Sequence, residues 1–151
     1  MATITVNLAL SEELLPIPGA RPVLERLARK HKLYLVRQRP DVEGMEEKTN
    51  RLIEQHFPGI FSGITLVNGD KVAACASKYP KLRLVIEDHP ATALNFERAK
   101  LSVILLNCDW NKETEYPQLK NSGVKRAKNW EGEEIESYIQ EIEQLSKYPL
   151  L

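Results

Sequence analysis

The chain has 151 residues with 21 basic and 21 acidic side chains, so no net charge attracts it to nucleic acid or to anionic lipid. Its two cysteines are too few for a disulfide framework, and no apolar run approaches the roughly 20 residues that span a bilayer. We therefore expect one cytoplasmic domain over residues 1–151 with reduced thiols at Cys75 and Cys108, and neither a nucleic-acid nor a membrane partner.

Five short runs of mostly apolar, β-branched residues predict strands that are covered on both faces. Apolar residues at helical spacing fill the segments between the runs, and a last helical pattern covers residues 131–147. The alternation predicts an α/β domain of three layers, in which a five-stranded parallel sheet has helices on both faces. The predicted strands are 4–10, 33–36, 64–67, 82–86 and 102–106.

Residues 108–129 form the one long stretch without clear periodicity, and we expect them to be a polar surface excursion before the last helix. The stretch contains a basic cluster, which is either a solvated face or a surface for an acidic partner. The cluster consists of Lys120, Lys125, Arg126 and Lys128.

Polar residues follow the predicted strands, and in an open parallel sheet ligands bind at the carboxyl ends of the strands, where the strand order reverses. The segments that carry these residues are 16–20, 33–40, 86–90 and 105–111, together with Lys71. Their order and spacing resemble those of phosphatases of the haloacid dehalogenase superfamily, with the 5'-nucleotidase-like branch as the nearest pattern. The resemblance implies a Rossmann-like domain, and the segment between the first strand and the first helix is too short for a cap domain.

For members of that superfamily the resemblance implies phosphoryl transfer by an aspartate at the end of the first strand. A second aspartate two residues later acts as general acid and base, and a Thr or Ser at the end of the second strand holds the phosphoryl oxygens. A lysine neutralises charge, and an acidic residue after the fourth strand holds magnesium. Such a reaction needs an in-line nucleophile and positive charge on the equatorial oxygens.

In this chain the nucleophile position is Asn7 and the acid/base position is Ala9, and neither side chain can perform that chemistry. We therefore expect no catalytic residue at these degenerate positions. The Thr or Ser position is Arg37, and the lysine is Lys71; both are candidates for binding phosphate or another anion. Lys71 could also be a surface lysine at a helix start.

The acidic pair Glu87 and Asp88 remains as a vestigial metal site. We expect no cofactor, with Mg²⁺ only if the site still functions. One hypothesis is that Arg37 pairs with Glu87 or Asp88 and replaces magnesium, because a guanidinium matches a carboxylate. The acidic pair could instead cap the following helix.

The sequence therefore predicts a phosphatase-like fold whose nucleophile is lost, acting as a non-catalytic binding or regulatory pseudoenzyme. Its partner would be a phosphate-bearing small molecule or another protein. Two alternatives stay open: an active phosphohydrolase, nucleotidase-like, in which Asp88 holds an attacking water, and a protein-interaction module that uses residues 108–129.

Overall fold

The computed structural model describes residues 2–7, 19–38, 43–107, 111 and 116–147, so the predictions for Ala9 and Cys108 lie outside the described residues. One parallel sheet with the strand order β3-β2-β1-β4-β5-β6 organises these residues. The strands are β1 (Thr3–Val6), β2 (Lys32–Gln38), β3 (Gly63–Val67), β4 (Leu82–Glu87), β5 (Ser102–Leu106) and β6 (Lys125–Ala127). The helices are α1 (Ala20–Lys30), α2 (Met45–His56), α3 (Lys71–Lys78), α4 (Pro90–Arg98) and α5 (Glu134–Lys147), with a 3₁₀ helix at Pro117–Asn121.

The prediction of five strands is wrong, because the sheet has a sixth. Strand β6 lies within the stretch that we expected to be a surface excursion, and it pairs in parallel with β5, with Ala127 opposite Leu106. It has three residues and begins with two charged side chains, so it carries neither an apolar run nor an alternating pattern. It is a strand because β5 offers it a pairing edge, and such tertiary context overrides local preference.

Helices cover both faces of the sheet, which confirms the predicted flanked parallel sheet. Apolar residues of α1, α2 and α5 pack on one face, and those of α3 and α4 pack on the other. Within β4, Leu84 and Ile86 point to the first face and Val85 to the second, as the two-residue period of a strand requires. Among the described helices, none is both long and apolar enough to cross a bilayer.

Strand β1 lies in the middle of the sheet and pairs in parallel with both β2 and β4. The chain first builds outward on one side to β3 and then crosses to β4 on the other side, so the strand order reverses between β1 and β4. Val6 pairs with Ile86, and the Asn7 backbone N–H donates to the Ile86 carbonyl at 2.9 Å. The residues that follow β1 and β4 are therefore brought side by side at the switch point.

Helix α1 begins after Gly19, whose φ of 82° lies in the left-handed region that favours glycine. The site is also crowded, since a Cβ there would lie 3.0 Å from the Glu131 nitrogen and 3.1 Å from the Trp130 carbonyl carbon. The start of α1 thus packs directly against the segment before α5. Trp130 is buried in the same core.

Candidate functional site

Asn7 lies at the centre of the polar cluster at the switch point. It follows β1 directly, and its Nδ2 donates to Glu87 Oε1 at 2.6 Å and to Asp88 Oδ1 at 2.9 Å. Both neighbours are carboxylate oxygens, which accept hydrogen bonds, so the amide nitrogen and not the amide oxygen faces them. The position where the resemblance implies a nucleophile is thus occupied by a donor that holds two acidic side chains together.

Glu87 is the last residue of β4 and is completely buried. Its Oε2 accepts from Lys71 Nζ at 2.9 Å. Its Oε1 accepts from Asn7 and also from the backbone N–H groups of Asp88 and His89, each at 3.2 Å. A buried carboxylate is tolerated only when it is paired and hydrogen-bonded, and both oxygens of Glu87 meet that condition.

Lys71 is the first residue of α3 and is only 6% exposed, so the alternative of a surface lysine is wrong. An ammonium group near a helix N-terminus is opposed by the helix dipole. The ion pair with Glu87 offsets that repulsion, and Asp70 completes the helix start by accepting from the Ala73 N–H at 3.1 Å. Lys71 is therefore held by the cluster and is not a solvated charge.

The charge of Asp88 depends on its buried, acidic surroundings. Burial and, second, the charge of the adjacent Glu87 raise the pKa of Asp88 to about 6 from its ordinary 3.8, while Lys71 opposes the rise. Asp88 therefore exchanges its proton close to neutral pH. The alternative that the acidic pair caps α4 is wrong, because the N-cap is His89, which accepts from the Thr92 N–H at 3.3 Å.

Asn111 supports the cluster from the far side; the sequence places it in the strand-end segment 105–111 but predicts no role for it. It is fully buried, and its Nδ2 donates to the carbonyl oxygens of Asp88 at 2.8 Å and of Leu106 at 2.7 Å. Its Oδ1 accepts from Arg126 Nη1 at 3.1 Å, and Arg126 also donates to Asn107 Oδ1 and to the Asn111 carbonyl. Arg126 therefore fixes the ends of β4 and β5 and is not part of a solvated basic face.

Arg37 lies near the end of β2 and is 7% exposed. It has the same parity along β2 as Leu33 and Leu35, which belong to the face covered by α1, α2 and α5. Glu87 has the parity of Val85, which belongs to the opposite face. The cation observed on Glu87 is Lys71, so the pairing of Arg37 with the acidic residues stays a hypothesis, as does its role in anion binding.

The residues at this site do not fit the magnesium ion that the resemblance implies. Mg²⁺ requires oxygen ligands in near-octahedral geometry, whereas the group that bridges Glu87 and Asp88 is an amide nitrogen that carries hydrogens. The second oxygen of Glu87 is already paired with Lys71. Within the part of the chain that the structure describes, no group of three or more His, Cys, Asp or Glu side chains could hold a metal.

No protein-family model matches the chain, and a search of curated proteins finds no match. Among solved structures, the chain is similar to the D,D-heptose 1,7-bisphosphate phosphatase of B. bronchiseptica, which was crystallised with magnesium and phosphate. The TM-score is 0.60 at 13% identity, over 99% of this chain and 100% of that one. The chain therefore has the fold of haloacid dehalogenase-like phosphatases, as the strand-end residues predict.

Proposed function

We propose that this protein is a non-catalytic binding or regulatory domain built on a phosphatase fold. The observation that carries the proposal is the Asn7 amide, whose nitrogen donates to both Glu87 and Asp88 at the end of β1. An amide nitrogen has no available lone pair for attack on phosphorus, and this one is committed to two acceptors. A covalent phosphoryl intermediate cannot form at this position.

The surrounding charges support the same proposal. Transfer of a phosphoryl group needs positive charge directed at its equatorial oxygens. The charge of Lys71 is directed at Glu87, which lies at 2.9 Å, and the ammonium group is nearly inaccessible to solvent. Ala9 occupies the acid/base position, and its methyl side chain cannot transfer a proton.

For the ligand, we propose a phosphate-bearing small molecule or another protein, with Arg37 as the candidate anion contact, because Lys71, the other candidate, is committed to Glu87. Arg37 supplies a guanidinium near the carboxyl end of β2, at the edge of the sheet where ligands bind. We also propose that no cap domain covers this edge, because residues 7–19 are all that separate β1 from α1. The protein would act in the cytoplasm.

One observation favours the alternative of an active phosphohydrolase. The pKa of Asp88, raised to about 6, is suited to a general base that activates a water molecule near neutral pH. The interaction-module alternative is less well supported, because Arg126 of its basic cluster is engaged with Asn111, and Lys125 pairs with Glu141 at 3.3 Å.

A phosphatase assay separates these functions. We expect purified wild-type protein, with 10 mM Mg²⁺ and either p-nitrophenyl phosphate or nucleoside monophosphates (~10 mM), to show no more turnover than an Asp88→Asn variant purified in the same way. Equal residual rates in the two preparations would show that Asp88 contributes nothing to the turnover. Turnover that is present in the wild type and lost in Asp88→Asn would overturn the non-catalytic proposal in favour of the water-activating alternative.

Binding is tested separately by thermal unfolding with the same nucleoside monophosphates and with inorganic phosphate. We expect a ligand to raise the melting temperature of the wild type and to have a smaller effect on Arg37→Gln, since stabilisation follows the affinity for the folded state. Equal stabilisation of both proteins would remove Arg37 from the proposed site.

A further inference from the structure

We infer that the Asn7 amide and the Lys71 ammonium together replace a divalent cation, so that the carboxylate pair Glu87 and Asp88 is stable without a metal. This inference goes beyond the proposed function, because it concerns what holds the switch point together. The inference would hold even if the protein proved to be catalytic by another route. It could also fail although the protein is not catalytic.

The charges of the cluster explain why no metal is needed. Two carboxylates face one ammonium, which leaves an excess charge of one, and the two N–H bonds of one amide reach both carboxylates. An aspartate at position 7 would place three carboxylates beside a single ammonium and leave an excess charge of two. A divalent cation would balance that excess. Replacing the amide NH₂ of residue 7 with a carboxylate oxygen would therefore make the cluster require a metal ion.

The distances show what a metal would have to displace. The Asn7 nitrogen lies 2.6 Å from Glu87 and 2.9 Å from Asp88, which places it between the two oxygens that would bridge to an ion. Mg²⁺ binds carboxylate oxygens at about 2.0–2.1 Å, so its entry would expel the amide from both hydrogen bonds. The expelled amide would lose two carboxylate partners, and this opposes metal binding.

The frame around the carboxylates does not depend on Asn7. Glu87 is oriented by the backbone N–H groups of Asp88 and His89, and the backbone of Asp88 is held by Asn111. These contacts remain when the side chain at position 7 is changed. We therefore expect Asn7→Asp, which keeps the shape of the side chain, to create a metal requirement without rebuilding the site.

The experiment measures thermal unfolding of the full chain in EDTA and in 10 mM MgCl₂. We expect the wild type to melt at the same temperature in both buffers. We expect Asn7→Asp to melt lower in EDTA and to gain about 5–10 °C in magnesium, as for a ligand present at about 100 times its Kd. The matched control is Asn50→Asp, the same chemical change on an exposed position of α2, which we expect to be insensitive to magnesium.

Two results would overturn the inference. One is an Asn7→Asp protein that is as stable as the wild type in EDTA and does not respond to magnesium. The other is magnesium binding by the wild type, seen as a calorimetric Kd below about 1 mM that is lost in Asp88→Asn. The calorimetry needs no folded Asn7 variant, and absence of binding supports the inference. Magnesium binding by the wild type would overturn this inference and leave the non-catalytic proposal intact. Turnover in the phosphatase assay would overturn the non-catalytic proposal and leave this inference intact.

Discussion

Two charged regions of the molecule have similar hydrogen-bond lengths and differ in exposure. At the switch point, Lys71 Nζ lies 2.9 Å from Glu87 Oε2, and the two side chains are 6% and 0% exposed. Between α1 and α5, Arg26 Nη2 lies 2.6 Å from Glu136 Oε1, and the side chains are 43% and 29% exposed. The Arg26–Glu136 pair is shorter but more exposed to solvent, so the distance alone does not show which pair contributes more to stability.

Exposure to solvent determines how much each pair contributes to stability. An exposed pair exchanges its partner for solvent at little cost, and salt screens what attraction remains. A buried pair that loses one member leaves a desolvated charge without compensation. The cluster of Asn7, Lys71, Glu87 and Asp88 is therefore sensitive to single changes, whereas the α1–α5 surface is tolerant of them.

The largest expected effect is that of Glu87→Ala. This change removes the acceptor of Lys71, of Asn7 and of two backbone N–H groups at once, and we expect a loss of about 3–5 kcal/mol in the free energy of unfolding, measured with urea. In the double variant Glu87→Ala with Lys71→Met we expect part of the loss to be recovered, because the orphaned ammonium is gone. A loss under about 1 kcal/mol in the single variant would mean that solvent reaches the cluster.

A smaller effect is expected from pH. Because the pKa of Asp88 is raised to about 6, the folded protein holds a proton that the unfolded chain releases near pH 4. The contribution of Asp88 to stability is therefore undiminished below about pH 4 and falls as the pH rises from about 4 to about 6. The measurement is the difference in melting temperature between wild type and Asp88→Asn across this range. A difference that is constant with pH would place Asp88 in water.

The smallest effect is expected at the surface. Arg26→Ala removes the guanidinium that donates twice to Glu136, yet we expect a smaller loss of stability than for Glu87→Ala or Asp88→Asn, because solvent replaces an exposed partner at little cost. A double-mutant cycle with Glu136→Ala isolates the pair from other losses of packing. A coupling energy as large as that between Lys71 and Glu87 would abolish the contrast drawn between the two regions.

Much of the fold could be predicted because it depends on local pattern. Each of the five apolar runs overlaps a strand, and Asn7 and Asp88 follow, while Glu87 ends, strands that the sheet places side by side. The carboxyl ends of parallel strands lie along the same side of the sheet, whatever the distance between the strands in sequence. Residues at these strand ends are therefore candidate neighbours. The same residues predicted the fold that the chain shares with the heptose bisphosphate phosphatase.

The remainder depends on contacts that no local pattern encodes. Strand β6 exists because β5 has an available edge, and Arg126 became structural only once β6 brought it to Asn111. The choice of Lys71 over Arg37 as the cation of Glu87 depends on which face of the sheet each residue occupies. A shift of one residue in either strand would move that side chain to the other face of the sheet.

The central position of β1 also bears on how the chain is synthesised. During synthesis β1 can pair with β2 as soon as both have emerged from the ribosome, but its other edge has no partner until residues 82–87 of β4 have been made. During that interval a nascent chain presents an open apolar strand, the kind of edge on which polypeptides aggregate. Slow translation over this interval would prolong the exposure, and a chaperone that shields the edge would shorten it.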